Sequence, residues 1–481
     1  MDDRLRCKAL ESKVMSADEA AKLVHGKMNL VTSGFTMAGY PKDVPMAIAR
    51  RAKAGEEMEL TLITGASVGP ELEESLLDAG VVKRRFPYQT NDKMRRAINE
   101  GKVEYADLIL SHLPFQLHYG IFGKIDVAIL EACMIDEEGN IYPTTSVGVS
   151  NTAARLAKKI IIELNTSVPL TMVGLHDIYN IEMPPNTQPI PITRVDQRIG
   201  MPYIACEPEK IAAVVYTNTP DIPHAMAPIT EDERVMAGYI VDFLKEEQKK
   251  GRLPENLLPL QSGVGSISNA VLDGLRKSGF KHLTIYSEVL QDSVLRLMED
   301  GVVDFASATA MALSPAGQEL FWSRFDFFKD RIILRPQSIS NSPEVVHRLG
   351  VIAMNAAIEV DVYGNVNSSH FAGSYLMNGI GGSGDFARNA SISVFTVPSI
   401  TKDGNISRIV RNVSHMDHSE HSTQIIVTEQ GLADIRGKGP VNRAREIIAH
   451  CVHPKFKAML EEYLFQALKN SKYLHIPQFR E

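Results

Sequence analysis

Short apolar runs alternate with amphipathic segments along most of the chain. The runs are rich in β-branched residues, which is typical of strands buried on both faces of a sheet. They are Leu60–Ile63, Val127–Leu130, Lys159–Glu163 and Ile211–Tyr216 in the first half, and Leu283–Tyr286, Val351–Met354, Ser391–Val397 and Gln424–Val427 in the second. Segments such as Pro45–Lys53 and Ser150–Ala157 have helical periodicity between the runs. The pattern predicts an α/β fold with mostly parallel sheets flanked by helices.

A weak internal repeat divides the chain into two halves. Val127–Gly148 aligns without gaps with Ile352–Gly373 at an offset of 225 residues, and both segments contain a D-x-x-G-N turn. A looser match places Leu60–Thr64 over Leu283–Ser287 at an offset of 223. Either match could arise by chance, because D-x-x-G-N is a common tight turn. Two matches at nearly one offset favour a duplication.

A proline-containing segment separates the halves. Tyr216–Glu233 contains Pro220, Pro223 and Pro228 and few large apolar residues, which is typical of a linker. We therefore expect two similar open α/β domains, at residues 1–222 and 223–481.

Composition and charge exclude several classes of protein. The 51 Lys and Arg against 58 Asp and Glu give a net charge of −7, which argues against a nucleic-acid partner. The chain has no apolar run of about 18 residues, so we expect no membrane partner. Cys7, Cys133, Cys206 and Cys451 form no C-x-x-C pair, which favours a reducing compartment. A cytoplasmic location is expected, or a mitochondrial one if a presequence has been removed.

Glu288 is the first candidate for chemistry. In the looser match, the strand of the first half leads into Gly65, whereas the equivalent strand of the second half leads into Glu288. Ligands bind at this carboxyl end of the strands in open α/β sheets. A helix with Leu290, Val294, Leu297 and Met298 on its apolar face is predicted to follow. The alternative is an acidic residue in the first turn of that helix, stabilised by the helix dipole.

Two glycine-rich segments are candidate binding loops. Ser262–Ser266 precedes a predicted helix at Asn269–Leu275, and its glycines would let the backbone approach a ligand closely. Gly379–Phe386 formally satisfies G-x-G-x-x-G, but the following residues lead to a strand and not to a long helix, so it is a poor dinucleotide fingerprint. Each loop could equally be a structural turn.

Other candidate sites carry weaker signals. His415, His418 and His421 are spaced three residues apart without an H-E-x-x-H motif, so we expect a solvated polar loop and no metal site. Cys133 lies in an apolar strand, where a buried inert thiol is expected, and no G-x-S-x-G motif indicates a serine hydrolase.

Eight segments together resemble the acetyl-CoA hydrolase/transferase family, and within it the succinyl-CoA:acetate CoA-transferases. The resemblance covers nearly the whole chain. The segments are SGFTMAGYPKDVP (Ser33–Pro45), LITGASVGPEL (Leu62–Leu72), LPLQSGVG (Leu258–Gly265), YSEVLQD (Tyr286–Asp292), SNSPEVVHRLG (Ser340–Gly350), DVYGNVNSSH (Asp361–His370), NGIGGSGDFARN (Asn378–Asn389) and VTEQGLADIRG (Val427–Gly437).

The resemblance implies a class I CoA-transferase that works as a homodimer of chains with two similar α/β domains. It implies that Glu288 is the catalytic residue, that Asn341 steadies it, and that Val264 and Gly382 occupy the oxyanion-hole positions. It also implies coenzyme A contacts at Leu260, Gln261, Ser262, Gly263, Val264, Ile358, Asn378, Gly382, Lys402 and Glu429. Coenzyme A is then a substrate, and no cofactor is expected.

Three functions remain open from the sequence. The first is transfer of CoA between a short-chain acyl-CoA, such as acetyl-CoA or succinyl-CoA, and a carboxylic acid such as acetate, through a glutamyl-CoA thioester. The second is hydrolysis of a short-chain acyl-CoA, and the third is a noncatalytic CoA or nucleotide sensor. The residues do not identify the acyl donor or the acceptor acid.

Overall fold

A computed structural model of the chain describes residues 3–222 and 227–471, so four residues of the predicted linker, 223–226, lie outside the described residues. The α-helices alternate with strands in both halves. They are α1 (Ala17–Ala20), α2 (Asp43–Lys53), α3 (Glu73–Asp78), α4 (Asp92–Asn99), α5 (His112–His118), α6 (Ser150–Leu156), α7 (Glu231–Lys249), α8 (Ser266–Arg276), α9 (Asp292–Glu299), α10 (Pro315–Ser323), α11 (Phe325–Phe328), α12 (Gln337–Ser340), α13 (Pro343–Leu349), α14 (Ser383–Asn389), α15 (Pro440–Cys451) and α16 (Pro454–Asn470).

The first half of the chain builds a seven-stranded sheet whose neighbouring strands all run parallel. The strands of this half are β1 (Gly26–Thr32), β2 (Met58–Ile63), β3 (Val82–Phe86), β4 (Glu104–Tyr105), β5 (Val127–Ala132), β6 (Met134–Ile135), β7 (Ile141–Tyr142), β8 (Lys159–Asn165) and β9 (Ile211–Thr217). The order across the sheet is β4-β3-β2-β1-β5-β8-β9, and β6 and β7 form a separate antiparallel ribbon.

The second half adds an eight-stranded sheet. Its strands and the short ribbons beside it are β10 (Leu260–Ser262), β11 (Leu283–Tyr286), β12 (Val289–Leu290), β13 (Val303–Ala308), β14 (Ala310–Met311), β15 (Ile332–Leu334), β16 (Ile352–Ala356), β17 (Glu359–Asp361), β18 (Val366–Asn367), β19 (His370–Phe371), β20 (Tyr375–Leu376), β21 (Ile392–Thr396), β22 (Ile409–Val410), β23 (Ile425–Thr428) and β24 (Gly431–Asp434). The order is β15-β13-β11-β10-β16-β21-β23-β24, with β24 antiparallel to β23.

The structure confirms the predicted α/β fold with mostly parallel sheets flanked by helices. Each of the eight predicted apolar runs overlaps a strand, because strands buried on both faces must be apolar throughout. The region after Glu288 differs from the prediction in detail. Leu290 lies in the short strand β12, and the helix begins only at Asp292. Glu288 is therefore not in the first turn of a helix.

The repeated turn has the same hydrogen bonds in both halves. Oδ1 of Asp136 accepts the backbone N–H groups two and four residues further on, at 3.1 and 2.8 Å, and Oδ2 accepts the Asn140 side chain at 2.9 Å. Asp361 accepts the corresponding N–H groups at 3.0 and 2.9 Å and the Asn365 side chain at 2.9 Å. The glycine of each turn has a positive φ, +92° and +100° respectively.

Strand order repeats as well. The first seven strands of the second sheet, β15-β13-β11-β10-β16-β21-β23, take the same positions as the strands of the first sheet, β4-β3-β2-β1-β5-β8-β9. In both sheets the strands follow one another along the chain in the same spatial order, and the second sheet adds β24 at its edge. The ribbons that carry the turns pair Ile135 with Ile141 and Val360 with Val366, again 225 residues apart. Topology and register therefore support the duplication.

Contacts divide the chain into two compact units. One comprises Met1–Ala225, Tyr286–Leu295 and Phe305–Val345, and the other Met226–Ile285, Arg296–Asp304 and Val346–Glu481. The division into domains at residue 222 stays a prediction, and Glu288 belongs to the first unit by its contacts. Each unit has its own core, of buried aliphatic side chains around β1, β2 and α2 in the first and around β21, β23 and α15 in the second.

No helix within residues 3–222 and 227–471 combines the length and the apolar character needed to cross a membrane.

We expect the repeated aspartates to stabilise both units similarly. Asp136→Ala or Asp361→Ala leaves two backbone N–H groups of a tight turn without their acceptor, so each should lower the free energy of unfolding by about 2 kcal/mol. Glu138→Ala is the matched control, because the side chain of Glu138 is exposed in the same turn. Urea denaturation measures the effect, and a loss in the control equal to that in Asp136→Ala would contradict it.

Candidate active site

Glu288 lies just beyond the carboxyl end of β11, where its backbone is held rigidly. Its carbonyl oxygen accepts the N–H groups of Thr309 and Ala310 at 2.9 and 3.1 Å. The strand that follows it, β12, pairs in parallel with β14, with Val289 opposite Ala310. The carboxyl group is therefore presented from two short paired strands, and its direction does not depend on a flexible loop.

Asn341 holds the carboxyl group of Glu288. Its Nδ2 donates to Oε1 of Glu288 at 2.7 Å, and its own Oδ1 accepts the hydroxyl of Ser340 at 2.8 Å. The hydroxyl fixes the amide so that the nitrogen faces the carboxylate. Among the described residues no donor reaches Oε2, so that oxygen remains available to a reactant.

Burial raises the pKa of the Glu288 carboxyl to about 7, and the hydrogen bond from Asn341 opposes this rise. In the part of the chain that the structure describes, no cation contributes to the shift. A rise of this size destabilises the ionised carboxylate by about 3 kcal/mol relative to water. The group is thus partly ionised at neutral pH and poorly solvated when ionised, which are the properties of a reactive nucleophile.

The short helix α12, which ends directly before Asn341, is anchored at two points. Tyr286, which is fully buried, donates its hydroxyl to the carbonyl oxygen of Ile339 at 2.5 Å. Just before the helix, Arg335 forms a buried ion pair with Asp177 and donates to Ser307 Oγ at 2.8 Å. These contacts tie the Asn341 segment to the strands that present Glu288, which limits how far the two groups can separate.

Gly65 is the position that the looser repeat aligns with Glu288, and it has no room for a side chain. A Cβ atom there would lie 2.8 Å from the carbonyl oxygen of Gly34 and 3.0 Å from Oε1 of Gln337. The duplicated scaffold can therefore carry the glutamate in only one of its two equivalent positions.

A buried cluster of charges lies at the carboxyl end of the first sheet, and the sequence analysis missed it. Lys42 Nζ contacts Glu131 Oε2 at 2.6 Å and Asp221 Oδ1 at 2.9 Å, and these carboxylates raise the pKa of Lys42 even though burial opposes them. Glu163 accepts three backbone N–H groups at the start of α2. Glutamates inside the apolar runs of β5 and β8 were the available signal, because buried carboxylates need partners.

The predicted coenzyme A loop lies in the second unit. Leu260–Ser262 form β10, and the Gln261 side chain bonds Asn355 at 3.2 Å and accepts the Met354 N–H at 3.1 Å. Gly263 N–H donates to the Met354 carbonyl at 3.1 Å. Val264 follows and is 41% exposed. The loop is thus anchored at its start, and its apolar tip faces outward.

The end of this loop is fixed by Gly265 and Ser266, which belong to the predicted loop, and by Glu233, which the sequence analysis did not identify. Gly265 has a φ of +132°, which favours glycine, and α8 begins at the next residue. Ser266 donates to Glu233. Burial raises the pKa of Glu233, but hydrogen bonds from Ser266 and Thr230 and the positive charge of Lys402 bring it below its usual range. Lys402 therefore lies close enough to Glu233, the partner of Ser266, to act on that carboxylate electrostatically.

The other predicted contact residues are dispersed over the second unit. Ile358 donates its N–H to Asn367 at 2.8 Å, and Asn378 lies in the segment between β20 and α14. Gly382 caps α14 and accepts the Asp385 N–H at 2.9 Å. Glu429 accepts both the N–H, at 2.9 Å, and the hydroxyl of Ser399, which outweigh burial and hold its pKa below the usual range.

The structure brings Glu288 and Asn341 together in the first unit, and the remaining predicted site residues belong to the second. The prediction of a solvated histidine loop is wrong for His418, which is fully buried and has its pKa lowered to about 4 by burial. Cys133 is buried as expected, with its pKa raised to about 12. Within the described ranges, no three His, Cys, Asp or Glu side chains are placed to hold a metal ion.

Comparisons with known proteins agree on one family. The family models for the N-terminal and C-terminal domains of acetyl-CoA hydrolase/transferase match residues 1–216 and 317–464. A succinyl-CoA:acetate CoA-transferase from Clostridium kluyveri is 48% identical, over 98% of this chain and 88% of the relative. An acetyl-CoA hydrolase from Schizosaccharomyces pombe is 44% identical, over 94% of this chain and 91% of the relative. The crystal structure of RipA from Yersinia pestis shares the fold, with a TM-score of 0.73 and 22% identity over 96% of this chain and 98% of that one.

We expect removal of the Asn341 amide to raise the pKa of Glu288. Because Nδ2 stabilises the ionised carboxylate, Asn341→Ala should move the pKa from about 7 to a value about one pH unit higher. The carboxyl band of Glu288, isolated by infrared difference against Glu288→Gln, reports the titration. Ser342→Ala changes the same segment at the hydroxyl that accepts the Val345 N–H, and it should leave the pKa unchanged. An unchanged pKa in Asn341→Ala would contradict the assignment.

Proposed function

Because the chain belongs to the acetyl-CoA hydrolase/transferase family, we propose that it exchanges CoA between a short-chain acyl-CoA, acetyl-CoA or succinyl-CoA, and a carboxylic acid such as acetate. The observation that carries the proposal is the carboxyl group of Glu288, whose pKa burial raises to about 7 and which Asn341 holds at one oxygen. A relative 48% identical to this chain is named a succinyl-CoA:acetate CoA-transferase.

The reaction is two rounds of acyl transfer on Glu288. Oε2 attacks the thioester carbonyl carbon, the C–S bond breaks, and CoA leaves as a thiolate while a mixed acyl-glutamyl anhydride forms. The thiolate then attacks the glutamyl Cδ, which breaks the C–O bond, releases the first carboxylate and leaves a glutamyl-CoA thioester. An incoming carboxylate then attacks the glutamyl-CoA thioester, which releases the CoA thiolate and forms a new mixed anhydride. The thiolate attacks the acyl carbonyl of this anhydride, so that the new acyl-CoA leaves and the Glu288 carboxylate is restored. No oxidation occurs, and covalent stages of this kind give ping-pong kinetics.

The donors and binding groups of the reaction come from the residues of the family motifs. The backbone N–H groups of Val264 and Gly382 would stabilise the oxyanion at each tetrahedral stage, where one preorganised donor contributes about 3 kcal/mol. Leu260–Val264, Ile358, Asn378, Lys402 and Glu429 would bind coenzyme A, which is a substrate. The positive charge of Lys402 suits the phosphates of coenzyme A, and the chemistry requires no further cofactor.

Hydrolysis of acyl-CoA is the second candidate function. A relative 44% identical to this chain is named an acetyl-CoA hydrolase, so membership of the family supports both activities. In that case water would attack the glutamyl intermediate in place of the acceptor acid. The first half of the reaction, including the anhydride on Glu288, would be the same.

The proposal includes a homodimer in the cytoplasm. The family resemblance supports the dimer. The cysteines favour a reducing compartment, because all four are free and three of them are buried.

We expect acyl-CoA to label Glu288 covalently. Incubation with acetyl-CoA without an acceptor, followed by borohydride reduction or hydroxylamine trapping, should modify Glu288 in a peptide mapped by mass spectrometry. Glu288→Gln should not be labelled, and its kcat should fall by roughly 1,000-fold or more, which is on the order of the loss when a nucleophile is removed. Glu319→Gln changes an exposed glutamate and should retain both.

An active enzyme with an unmodified Glu288 would overturn the proposal. The acceptor separates the two activities of the labelled enzyme. CoA release that rises strongly with added acetate supports transfer, whereas the same rate with and without acetate supports hydrolysis.

We expect the N–H group of Val264, and not its side chain, to matter for turnover. Val264→Pro removes the N–H donor and should lower kcat by about 100-fold or more. Val264→Ala keeps the donor and should stay within about threefold of wild type, since the side chain is 41% exposed. Steady-state kinetics with acetyl-CoA and a saturating acid measure both variants, and equal losses in the two would contradict the oxyanion role.

A further inference from the structure

A cavity in the first unit has no place in the reaction as described so far. It has a volume of about 80 Å³, and its lining includes Met37, Asp221, Ile222, Met311, Leu313 and Trp322. Since a cavity needs roughly 10–15 Å³ to hold one water molecule, this space suits a chain of a few atoms. The cavity is therefore small, and most of the lining is apolar.

Met37 lines this cavity from a strained turn. Thr36 and Met37 have φ values of +49° and +64°, a region that β-branched and bulky residues rarely adopt. The turn is closed by a hydrogen bond from the Phe35 N–H to the Ala38 carbonyl at 3.0 Å. Strain of this kind persists where the surrounding structure imposes it, and it is frequent at ligand sites. The turn holds the Met37 side chain in the cavity wall.

The cavity and Glu288 adjoin the same pair of short strands. Ala310, whose N–H reaches the Glu288 carbonyl at 3.1 Å, is followed by Met311 in the cavity wall. On the other side, Phe35 and Ala38 from the turn of Met37 pack in one cluster with Val289 and Ala310. Only a few residues thus separate the cavity wall from the nucleophile.

Asp221 is the only one of the described residues lining the cavity that carries a charge, because none of the others is Asp, Glu, Lys, Arg or His. Two hydroxyl groups in the wall already have acceptors. Thr145 donates its hydroxyl to Asp221, and Ser167 donates its hydroxyl to Oδ1 of Asn165 at 2.7 Å. The cation that pairs with Asp221, Lys42 at 2.9 Å, is not among the lining residues and is shared with Glu131 at 2.6 Å. A second carboxylate on an acyl group would therefore lose its hydration opposite Asp221 without a lining cation to pair with.

We infer that this cavity holds the acyl group of the substrate and selects short acyl chains without a charge. Met37 limits the length of the acyl chain, and Asp221 disfavours a carboxylate at its end. The inference rests on the proposed function and specifies its substrate class as monocarboxylic acyl groups. Acetyl-CoA is then preferred to succinyl-CoA as donor. Met37 and Asp221 act on specificity and do not take part in the chemical steps.

Butyryl-CoA and succinyl-CoA provide the sharpest test, because both acyl groups have four carbons and differ at the terminal group. In the wild-type protein with acetate as acceptor, kcat/KM should be at least tenfold higher for butyryl-CoA than for succinyl-CoA. Met37→Gly removes the side chain and suits the positive φ, so it should raise the ratio of kcat/KM for butyryl-CoA to that for acetyl-CoA by about tenfold or more. The succinyl-to-acetyl ratio should rise much less.

Thr36→Gly is the matched control. It relieves the same kind of backbone strain in the neighbouring residue, which is not part of the cavity lining, so both ratios should stay at their wild-type values. Equal use of butyryl-CoA and succinyl-CoA by the wild-type protein would overturn the charge argument. Equal changes in the two variants, or none in Met37→Gly, would overturn the assignment of the cavity. Failure of the proposed function would look different, with no CoA transfer from any donor and no label on Glu288.

Discussion

Burial of carboxylates in strands or directly beside them is the constraint on which the described structure depends. Each such group must receive donors in exchange for lost hydration. Asp136 and Asp361 receive two backbone N–H groups and an amide, and Glu163 receives three N–H groups of α2. Glu288 receives one amide, from Asn341. It is the least compensated of these four groups, and this shortage of partners is what makes its carboxylate suited to attack an acyl group.

Duplication explains why the fold has two such edges, and sterics explain why the edges differ. The strand orders and the D-x-x-G-N turns repeat, so both halves began with the same geometry at the ends of their strands. Gly65 has no space for a Cβ atom, whereas Glu288 has a fixed carbonyl and a neighbouring amide. The two halves therefore share a scaffold, and only one of them carries a glutamate at this position. The first half instead uses its edge for the ion cluster of Lys42.

Local patterns predicted the fold well, because strands buried on both faces leave continuous apolar runs in the chain. The eight predicted strands and the repeated turn depend on neighbouring residues only, and the structure has all of them. The pair of Glu288 and Asn341 is separated by 53 residues, and only the resemblance to a family connected them. Lys42 and Asp221 could not be paired, because nothing local indicates which strand ends meet. The burial of His418 was missed because its polar neighbours in the sequence, Asp417, Ser419 and Glu420, are typical of a solvated loop. The packing of His418 against Phe395 is visible only in the fold.

The ion cluster also links the chain leaving the first sheet to the turn that holds Met37. Asp221 accepts the Gly39 N–H at 3.0 Å and pairs with Lys42 at 2.9 Å, so residues after β9 are tied to the segment after β1. Buried ion pairs add little net stability, because desolvation of both partners offsets their attraction, but removing one partner leaves a costly unpaired charge. The cluster is thus better understood as fixing an arrangement than as strengthening the fold. What it fixes is the wall of the cavity that Met37 and Asp221 line, and a strained turn such as Thr36–Met37 needs an anchor of this kind to persist.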